Sequence, residues 1–171
     1  NTSSVSINHS KAQYDVARKT ILENKCKKIL YIAGVKSEYA TDERIAGIRQ
    51  LGKELGLTIQ IKYAEFSELQ ARNLTLRFGK RYDCIVCASD LMAIGAMKAL
   101  IDMDIFRPVC GYDGIILMGY VGKQMNTVKQ DFAGVSSRAM EELNNLLNGE
   151  SGKRVFTEHT LVRMKYEDII I

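Results

Sequence analysis

The sequence lacks several features on which whole classes of protein depend. No apolar run in its 171 residues approaches the roughly 20 residues that a transmembrane helix needs, so we expect no membrane-spanning segment. The first residues, "NTSSVSINHSK", have neither the apolar core of a signal peptide nor an initiator Met, and we expect a fragment or a processed product. A strong charge of one sign is also missing. The net charge of +4 comes from scattered basic residues, which is typical of a solvated surface and not of a nucleic-acid interface.

Residues for catalysis are scarce as well. The two histidines, His9 and His159, have no obvious serine or cysteine partner, and neither GxSxG nor GxGxxG occurs. The stretch "GESGKR" at 149–154 contains a Gly-Lys pair without the spacing of a phosphate-binding loop, and it precedes a strand-like segment instead of following one. We therefore expect a protein that is not an enzyme, with no catalytic residues, no cofactor and no bound metal.

Four cysteines are spread along the chain, and two of them, Cys84 and Cys87, form a CxxC. Such a pair could hold zinc or take part in redox chemistry. Both cysteines lie on one predicted strand, where positions three apart face opposite sides of the sheet, and no second CxxC accompanies them. We therefore predict buried free thiols in a reducing, cytoplasmic compartment.

Strand-like and helix-like segments alternate along most of the chain. The strand-like runs are "SVSI", "KILYIAG", "TIQIKYA", "CIVCA" and "PVCGYD", and helical periodicity covers residues 11–24, 42–55, 67–80, 90–103 and 132–150. The runs are continuously apolar, as strands buried on both faces are. The single proline, Pro108, stands just before a predicted strand, where its missing N–H is tolerated. The alternation predicts an α/β fold with a parallel sheet flanked by helices.

Polar residues stand close to the ends of three predicted strands. Arg44 lies near the start of the helix after "KILYIAG", Ser89 and Asp90 follow "CIVCA", and Asp113 follows "PVCGY". Ser89 suits a helix N-cap and Asp90 the positive end of a helix dipole, so a structural role explains Asp90 well. Ligands bind beyond the carboxyl ends of parallel strands. A guanidinium and a carboxylate at that edge suit a ligand rich in hydroxyl groups.

Four motifs carry a resemblance that covers nearly the whole chain. In order and spacing, "TDERIAGIRQLGKELGL", "CASDLMAIGAMKAL", "GYDG" and "TVKQDF" resemble the lactose-repressor (LacI/GalR) family of bacterial transcription regulators. Members of this family carry an N-terminal helix-turn-helix and a hinge, followed by an effector-binding core of two subdomains. The resemblance implies a type I periplasmic-binding-protein-like fold. We expect the chain to begin well inside that core and to hold mostly its C-terminal subdomain, without the helix-turn-helix.

The resemblance also implies how the chain is divided. Residues 1–127 would form the C-terminal subdomain, residues 128–149 the crossover and a helix that belongs to the N-terminal subdomain, and residues 150–171 the return strands to the C-terminal subdomain. The helix has an apolar stripe, formed by Val135, Ala139, Met140, Leu143, Leu146 and Leu147. We expect this stripe to pack on the chain's own sheet or on another copy. Residues 91–100 and 118–121 could form a second dimer surface.

The resemblance assigns ligand-binding roles to four residues. Arg44, in "ERIAG", matches the family's arginine that contacts ligand hydroxyls, and Asp113, in "GYDG", matches its ligand-binding aspartate. Ser89, before "DLMAIGA", matches a ligand-facing position that is usually Asn or Ser. Asn8 falls where the family often has an aspartate near the cleft. The alternative interpretation makes Arg44 an exposed residue near a helix start and Asp113 a turn residue.

The implied function is that of a sensor. A sugar or related small molecule would bind in the cleft between the subdomains of a cytoplasmic homodimer and control operator binding by the helix-turn-helix. One alternative is a ribose-type periplasmic sugar-binding protein used in transport, and another is a small α/β enzyme. The four cysteines and the motifs "ASDLMAIGA" and "TVKQDF" favour the regulator over the transport protein. The absence of a nucleophile with a paired base argues against the enzyme.

Overall fold

The computed structural model describes residues 2–115 and 125–164 of the chain. Its elements are β1 (Ser4–Ile7), α1 (His9–Asn24), β2 (Lys28–Ala33), α2 (Tyr39–Leu55), β3 (Thr58–Tyr63), α3 (Glu68–Phe78), β4 (Cys84–Cys87), α4 (Asp90–Asp102), β5 (Val109–Cys110), β6 (Met125–Gln130), α5 (Phe132–Leu147), β7 (Arg154–Thr157) and β8 (His159–Met164). They follow the predicted alternation closely. α1 begins earlier than predicted because the Asn8 side chain caps its first turn.

Six strands form the main sheet in the order β3-β2-β4-β5-β6-β8. All neighbouring pairs are parallel except β6 and β8, which are antiparallel. The central strands β2 and β4 are almost wholly buried, which explains their continuous apolar sequences. The predicted α/β fold with a mostly parallel sheet flanked by helices is confirmed.

Two pairs of helices cover the main sheet. α1 packs on α2 and α3 packs on α4. The chain moves one way along the sheet from β2 to β3 and the other way from β3 to β4, so right-handed crossovers place α2 and α3 on opposite faces.

In each helix pair, a glycine lies where the two helices approach most closely. A Cβ atom at Gly47 would lie 2.1 Å from the Ser10 carbonyl oxygen, and one at Gly95 would lie 2.1 Å from the Glu68 carbonyl oxygen. Since backbone atoms cannot yield as a flexible side chain does, any larger residue at these positions would push the paired helices apart.

A second, smaller sheet consists of β1 and β7, paired in parallel. α5 contacts both of these strands. Within the described part of the return segment, β7 pairs with β1 of the small sheet and β8 pairs with β6 of the main sheet. The described chain crosses between the sheets three times: between β1 and β2, between β6 and β7, and between β7 and β8. The proposed boundaries at residues 127 and 149 stay a prediction.

The apolar stripe of α5 is buried only in part, because Val135 and Leu146 are half-buried while the rest of the stripe is exposed. The expected packing on the chain's own sheet therefore holds for one edge of the stripe, where α5 contacts β1 and β7. Met140, Leu143 and Leu147 are 67%, 51% and 77% exposed. α5 meets the small sheet through Glu142, which accepts a hydrogen bond from Ser3 Oγ and forms an ion pair with Lys153 at 3.3 Å. Helical spacing places Val135 and Leu146 on the same side of α5 as Glu142, so that edge of the stripe faces the strands and the edge with Met140, Leu143 and Leu147 faces outward. Packing on a second copy stays a prediction, and the suggested dimer surface at 118–121 lies outside the described residues.

The four cysteines are buried free thiols, as predicted. Burial raises the pKa of Cys110 to about 12, and it is also the main reason that the pKa of Cys87 lies well above its ordinary value. Within the described parts of the chain, no helix is long and apolar enough to span a membrane.

Candidate ligand-binding site

The four residues singled out from the sequence lie at one edge of the molecule, where the parallel strands end. Asn8 follows β1, Ser89 comes just after β4, and Asp113 lies beyond β5. Arg44 reaches the same edge from α2, because its Nη1 donates a hydrogen bond to the carbonyl oxygen of Ala88 at 2.5 Å. The expected position at the carboxyl ends of the strands therefore agrees with the observed one.

Arg44 is a buried residue, so its interpretation as an exposed residue near a helix start is wrong. Only 6% of its surface is exposed. Its guanidinium carbon lies 3.9 Å from the centre of the Tyr112 ring and 5.9 Å from that of Phe66. Its Nε is buried and has no hydrogen-bond acceptor among the described residues. The side chain is thus fixed in place while one of its donors stays unused.

Asp113 presents a half-buried carboxylate beside this arginine. Its Oδ1 accepts a hydrogen bond from Gln130 Nε2 at 2.8 Å, and its backbone N–H donates to the Val128 carbonyl oxygen at 2.9 Å. Burial raises the pKa of the carboxyl group, and the positive charge of Arg44 and the bond from Gln130 partly oppose that rise. Gln130 and Val128, both in β6, thereby hold Asp113 at the site.

The backbone of Asp113 is unusual for a residue with a side chain. Its φ is +120°, and that of the following Gly114 is +71°. Such conformations cost of order 1–3 kcal/mol in residues other than glycine, and they concentrate at functional sites. The strain agrees with a binding role for Asp113 better than with an ordinary turn.

His9 and Tyr112 belong to the same cluster, and neither was singled out from the sequence. The His9 Nδ1 and the Tyr112 hydroxyl lie 3.0 Å apart. Burial, and then the charge of Arg44, lower the pKa of His9 to about 4, so its ring is neutral at pH 7. Gln130 is a third such residue. The sequence positions of these three residues could have indicated them, because His9 follows Asn8, Tyr112 precedes Asp113, and Gln130 lies in the motif "TVKQDF".

Asn8 and Ser89 act as helix caps. Asn8 Oδ1 accepts from the backbone N–H of Lys11 at 2.9 Å, and Ser89 Oγ accepts from that of Met92 at 3.3 Å. Capping uses an acceptor of each side chain, whereas a ligand could still receive a hydrogen bond from the Asn8 amide or the Ser89 hydroxyl. These two residues therefore offer donors to the site, and Asp113 offers the acceptor.

Asp90, next to Ser89, is a structural residue. It is fully buried, and it accepts hydrogen bonds from Thr127 Oγ1 at 2.6 Å and from the backbone N–H of Ile115 at 2.8 Å. Burial raises the pKa of its carboxyl group to about 6, although both hydrogen bonds act in the opposite direction. Asp90 thus ties the start of α4 to β6 and to the segment after Asp113.

A pocket of about 580 Å³ lies at the opposite end of the strands, between Pro108 and Arg163. Its polar side chains bond one another: Asn126 donates to Thr20 and Glu23, and Arg163 donates to Asn126 and Glu23. At the Arg44 edge, by contrast, the buried Arg44 Nε has no hydrogen-bond partner among the described residues. Among residues 2–115 and 125–164, no group of three or more metal-ligating side chains could hold a metal ion.

The sequence of the chain matches the family described as the periplasmic binding protein-like domain over residues 19–165. The chain belongs to this family. The match includes Arg44, Ser89 and Asp113 of the candidate site and begins after Asn8 and His9.

Two curated relatives of this periplasmic binding protein-like domain are named as repressors. The chain is 28% identical over 155 residues to the HTH-type transcriptional repressor PurR of Vibrio vulnificus, which covers 84% of this chain and 46% of that protein. It is 30% identical over 141 residues to the ribose operon repressor of Halalkalibacterium halodurans, covering 77% of this chain and 43% of that protein. The resemblance to LacI/GalR regulators is confirmed, and the chain spans about half the length of these relatives.

A solved structure supports the fold. The LacI-family regulatory protein from Chloroflexus aggregans superposes with a TM-score of 0.87 at 19% identity, covering 97% of this chain and 64% of the other. At this identity the likeness shows the fold, which is the predicted type I periplasmic-binding-protein-like fold.

Proposed function

We propose that the chain is the effector-sensing part of a bacterial LacI/GalR-type transcription regulator. A sugar or related small molecule binds at the edge beside Arg44 and Asp113 and controls operator binding by a helix-turn-helix that this chain does not contain. The observation that carries the proposal is the placement of a buried arginine with an unused donor beside a half-buried carboxylate at the strand ends.

The chemistry of the edge favours a ligand with several hydroxyl groups. The Asp113 carboxylate accepts hydrogen bonds, and a carboxylate has enough acceptor positions for Gln130 and a ligand together. Arg44, Ser89 and Asn8 supply donors around it. A hydroxyl both donates and accepts, so neighbouring hydroxyls of a sugar can bridge Asp113 and the donors, whereas an apolar ligand would leave these groups unpaired.

We propose binding without catalysis, in the cytoplasm. The neutral His9 is hydrogen-bonded to Tyr112. Burial raises the pKa of the Tyr112 phenol, which makes it a poorer nucleophile at pH 7 than an exposed tyrosine. The four thiols are free, which suits a reducing compartment. The names of the curated relatives favour the regulator over the periplasmic transport protein.

We propose further that the regulator is a homodimer, and that operator DNA is contacted only through the helix-turn-helix. In the isolated chain, the exposed side of α5, with Met140, Leu143 and Leu147, supports a packing partner for that helix, and we propose that a second copy of the chain fills this role. Each large apolar side chain left exposed forgoes roughly 1.5–3 kcal/mol of burial energy.

The substitution Asp113→Asn in the full-length regulator tests the proposed site. A thermal-shift screen against sugars, sugar phosphates and nucleobases first finds the effector, since a ligand at 100 times its dissociation constant adds about 2.7 kcal/mol of stability. Asparagine keeps the size of the side chain and loses the charge. We expect calorimetry to show a loss of roughly 1.5–3 kcal/mol in effector binding, with basal operator binding retained.

Asp102→Asn serves as the matched control, because Asp102 is an exposed residue at the far end of α4 that pairs with Arg72. It should leave effector affinity unchanged. If Asp113→Asn binds the effector as tightly as the control does, the site is not where we place it.

A further inference from the structure

β3 forms one edge of the main sheet, and its outer side has no partner strand among the described residues. A groove of about 790 Å³ runs along it. The apolar side chains of Leu57, Ile59 and Ile61 line this groove, and two cationic residues of α2, Arg49 and Lys53, stand at its rim. An unpaired strand edge beside an apolar groove is the setting in which an extended peptide can add a strand.

A cluster of cations continues this surface towards α3. Lys62 of β3, Arg77 and Arg81 surround the ring of Phe78, with their charged groups 4.8, 5.2 and 5.8 Å from its centre. None of the three forms an ion pair with a carboxylate in residues 2–115 or 125–164. Contact with the Phe78 ring offsets part of the repulsion between the three cations.

The acidic residues closest in sequence are engaged elsewhere. Glu54, beside Lys53, accepts hydrogen bonds from Tyr14 and Gln50. Asp83, two residues after Arg81, accepts from the backbone N–H groups of Lys27 and Lys28 at 3.0 and 2.9 Å. Neither carboxylate forms an ion pair with a cation of this surface among the described residues.

We propose that this surface, which consists of β3 with Arg49, Lys53, Lys62, Arg77 and Arg81, binds an extended acidic segment of a partner protein as an added strand. The main chain of the segment pairs with the free edge of β3. Its acidic side chains meet the cations, and its apolar side chains enter the groove over Leu57, Ile59 and Ile61. This β3 edge surface is separate from the effector site, so a regulator could engage a protein partner and an effector together.

A peptide fits these features better than a nucleic acid does. The aliphatic side chains of Leu57, Ile59 and Ile61 line the groove, and its aromatic residue, Tyr82, is half-buried and donates a hydrogen bond to Gln60. The Phe78 ring is already in contact with three cations, so neither ring is a free stacking platform for bases. Cations on an edge strand have a second established role, which is to prevent edge-to-edge aggregation. Binding of an acidic strand distinguishes our proposal from that protective role alone.

The test uses the full-length protein and a fluorescent, end-blocked peptide of alternating Glu and Val. We expect saturable binding by fluorescence anisotropy and slower hydrogen exchange over residues 58–63 on binding. The double variant Lys62→Glu/Arg81→Glu should bind roughly tenfold more weakly or worse, because it places like charges opposite the peptide. Arg18→Glu/Lys19→Glu, with the same change of net charge on α1, should bind as the unsubstituted protein does. Circular dichroism checks that both variants fold.

Two further probes separate strand addition from simple charge attraction. A peptide of the same sequence with alternate backbone nitrogens methylated keeps its charge and cannot pair as a strand, so we expect its binding to be lost. Equal binding of the methylated peptide would overturn the proposal, as would no binding of the unmodified one. Tighter binding of a single-stranded oligonucleotide of equal charge would assign the surface to nucleic acid instead.

Discussion

Replacing Arg44 by methionine tests how the candidate site is built. Methionine is a long, unbranched residue that fills much of the same space without the charge or the donors. The substitution leaves the Ala88 carbonyl oxygen, on a fully buried residue, without the hydrogen bond that Arg44 Nη1 donates. It also removes the guanidinium from the face of the Tyr112 ring, 3.9 Å from its centre.

The expected loss of stability follows from these two contacts. An unpaired buried carbonyl costs about 1–3 kcal/mol, and a desolvated cation–π contact is worth about 0.5–2 kcal/mol. Since the two contacts share one group and do not add fully, we expect a decrease of roughly 2–4 kcal/mol in the free energy of unfolding. For a chain of this length, that corresponds to a drop of roughly 4–16 °C in the melting temperature.

The titration of His9 gives an independent readout in the same variant. The charge of Arg44 is the second cause, after burial, of the low pKa of His9, which is about 4. Without that charge the pKa of His9 should rise, yet stay below its ordinary value of 6.5 because burial remains. Nuclear magnetic resonance can follow the ring protons of His9 directly, since the chain has only one other histidine.

Arg49→Met, on the exposed side of the same helix, is the matched control. Arg49 has no ion pair or hydrogen bond among the described residues, so its loss should change stability by less than about 0.5 kcal/mol. Our account of Arg44 is refuted if the two methionine variants are equally stable and the pKa of His9 is the same in both.

Two further predictions concern Asp90 and α5. The pKa of Asp90 is raised from 3.8 to about 6 in the folded chain, so its contribution to stability is full below pH 3.8 and is lost as the pH rises through 6. Urea denaturation should show Asp90→Asn gaining roughly 3 kcal/mol relative to the unsubstituted chain between pH 4 and 7; a pH-independent difference would contradict this. For α5, sedimentation should show that the chain is a dimer and that the double substitution Leu143→Glu/Leu147→Glu dissociates it. An unsubstituted chain that sediments as a monomer would show that the stripe does not pack on a second copy.

The main sheet and its helices were predictable because their signals are local. Continuous apolar runs and helical periodicity reveal whether a segment is buried, and repeated alternation implies parallel pairing. The pairing of β1 with β7 was not predictable in this way. The two strands are separated by most of the chain, and nothing within "SVSI" indicates which strand lies beside it. The outward face of α5 depends likewise on a distant contact, between Glu142 and Ser3.

For the candidate site, the sequence alone determined which residue types stand near the strand ends and which family motifs contain them. This was sufficient to place Arg44 and Asp113 near the strand ends and to predict the class of protein, whereas the binding roles of these two residues stay a prediction. Only the tertiary structure decided that Arg44 is buried against Tyr112, that Gln130 holds Asp113, and that Asp90 is a structural residue. The reason is that hydrogen bonds, burial and pKa shifts arise between residues that folding brings together, and spacing along the chain does not fix those distances.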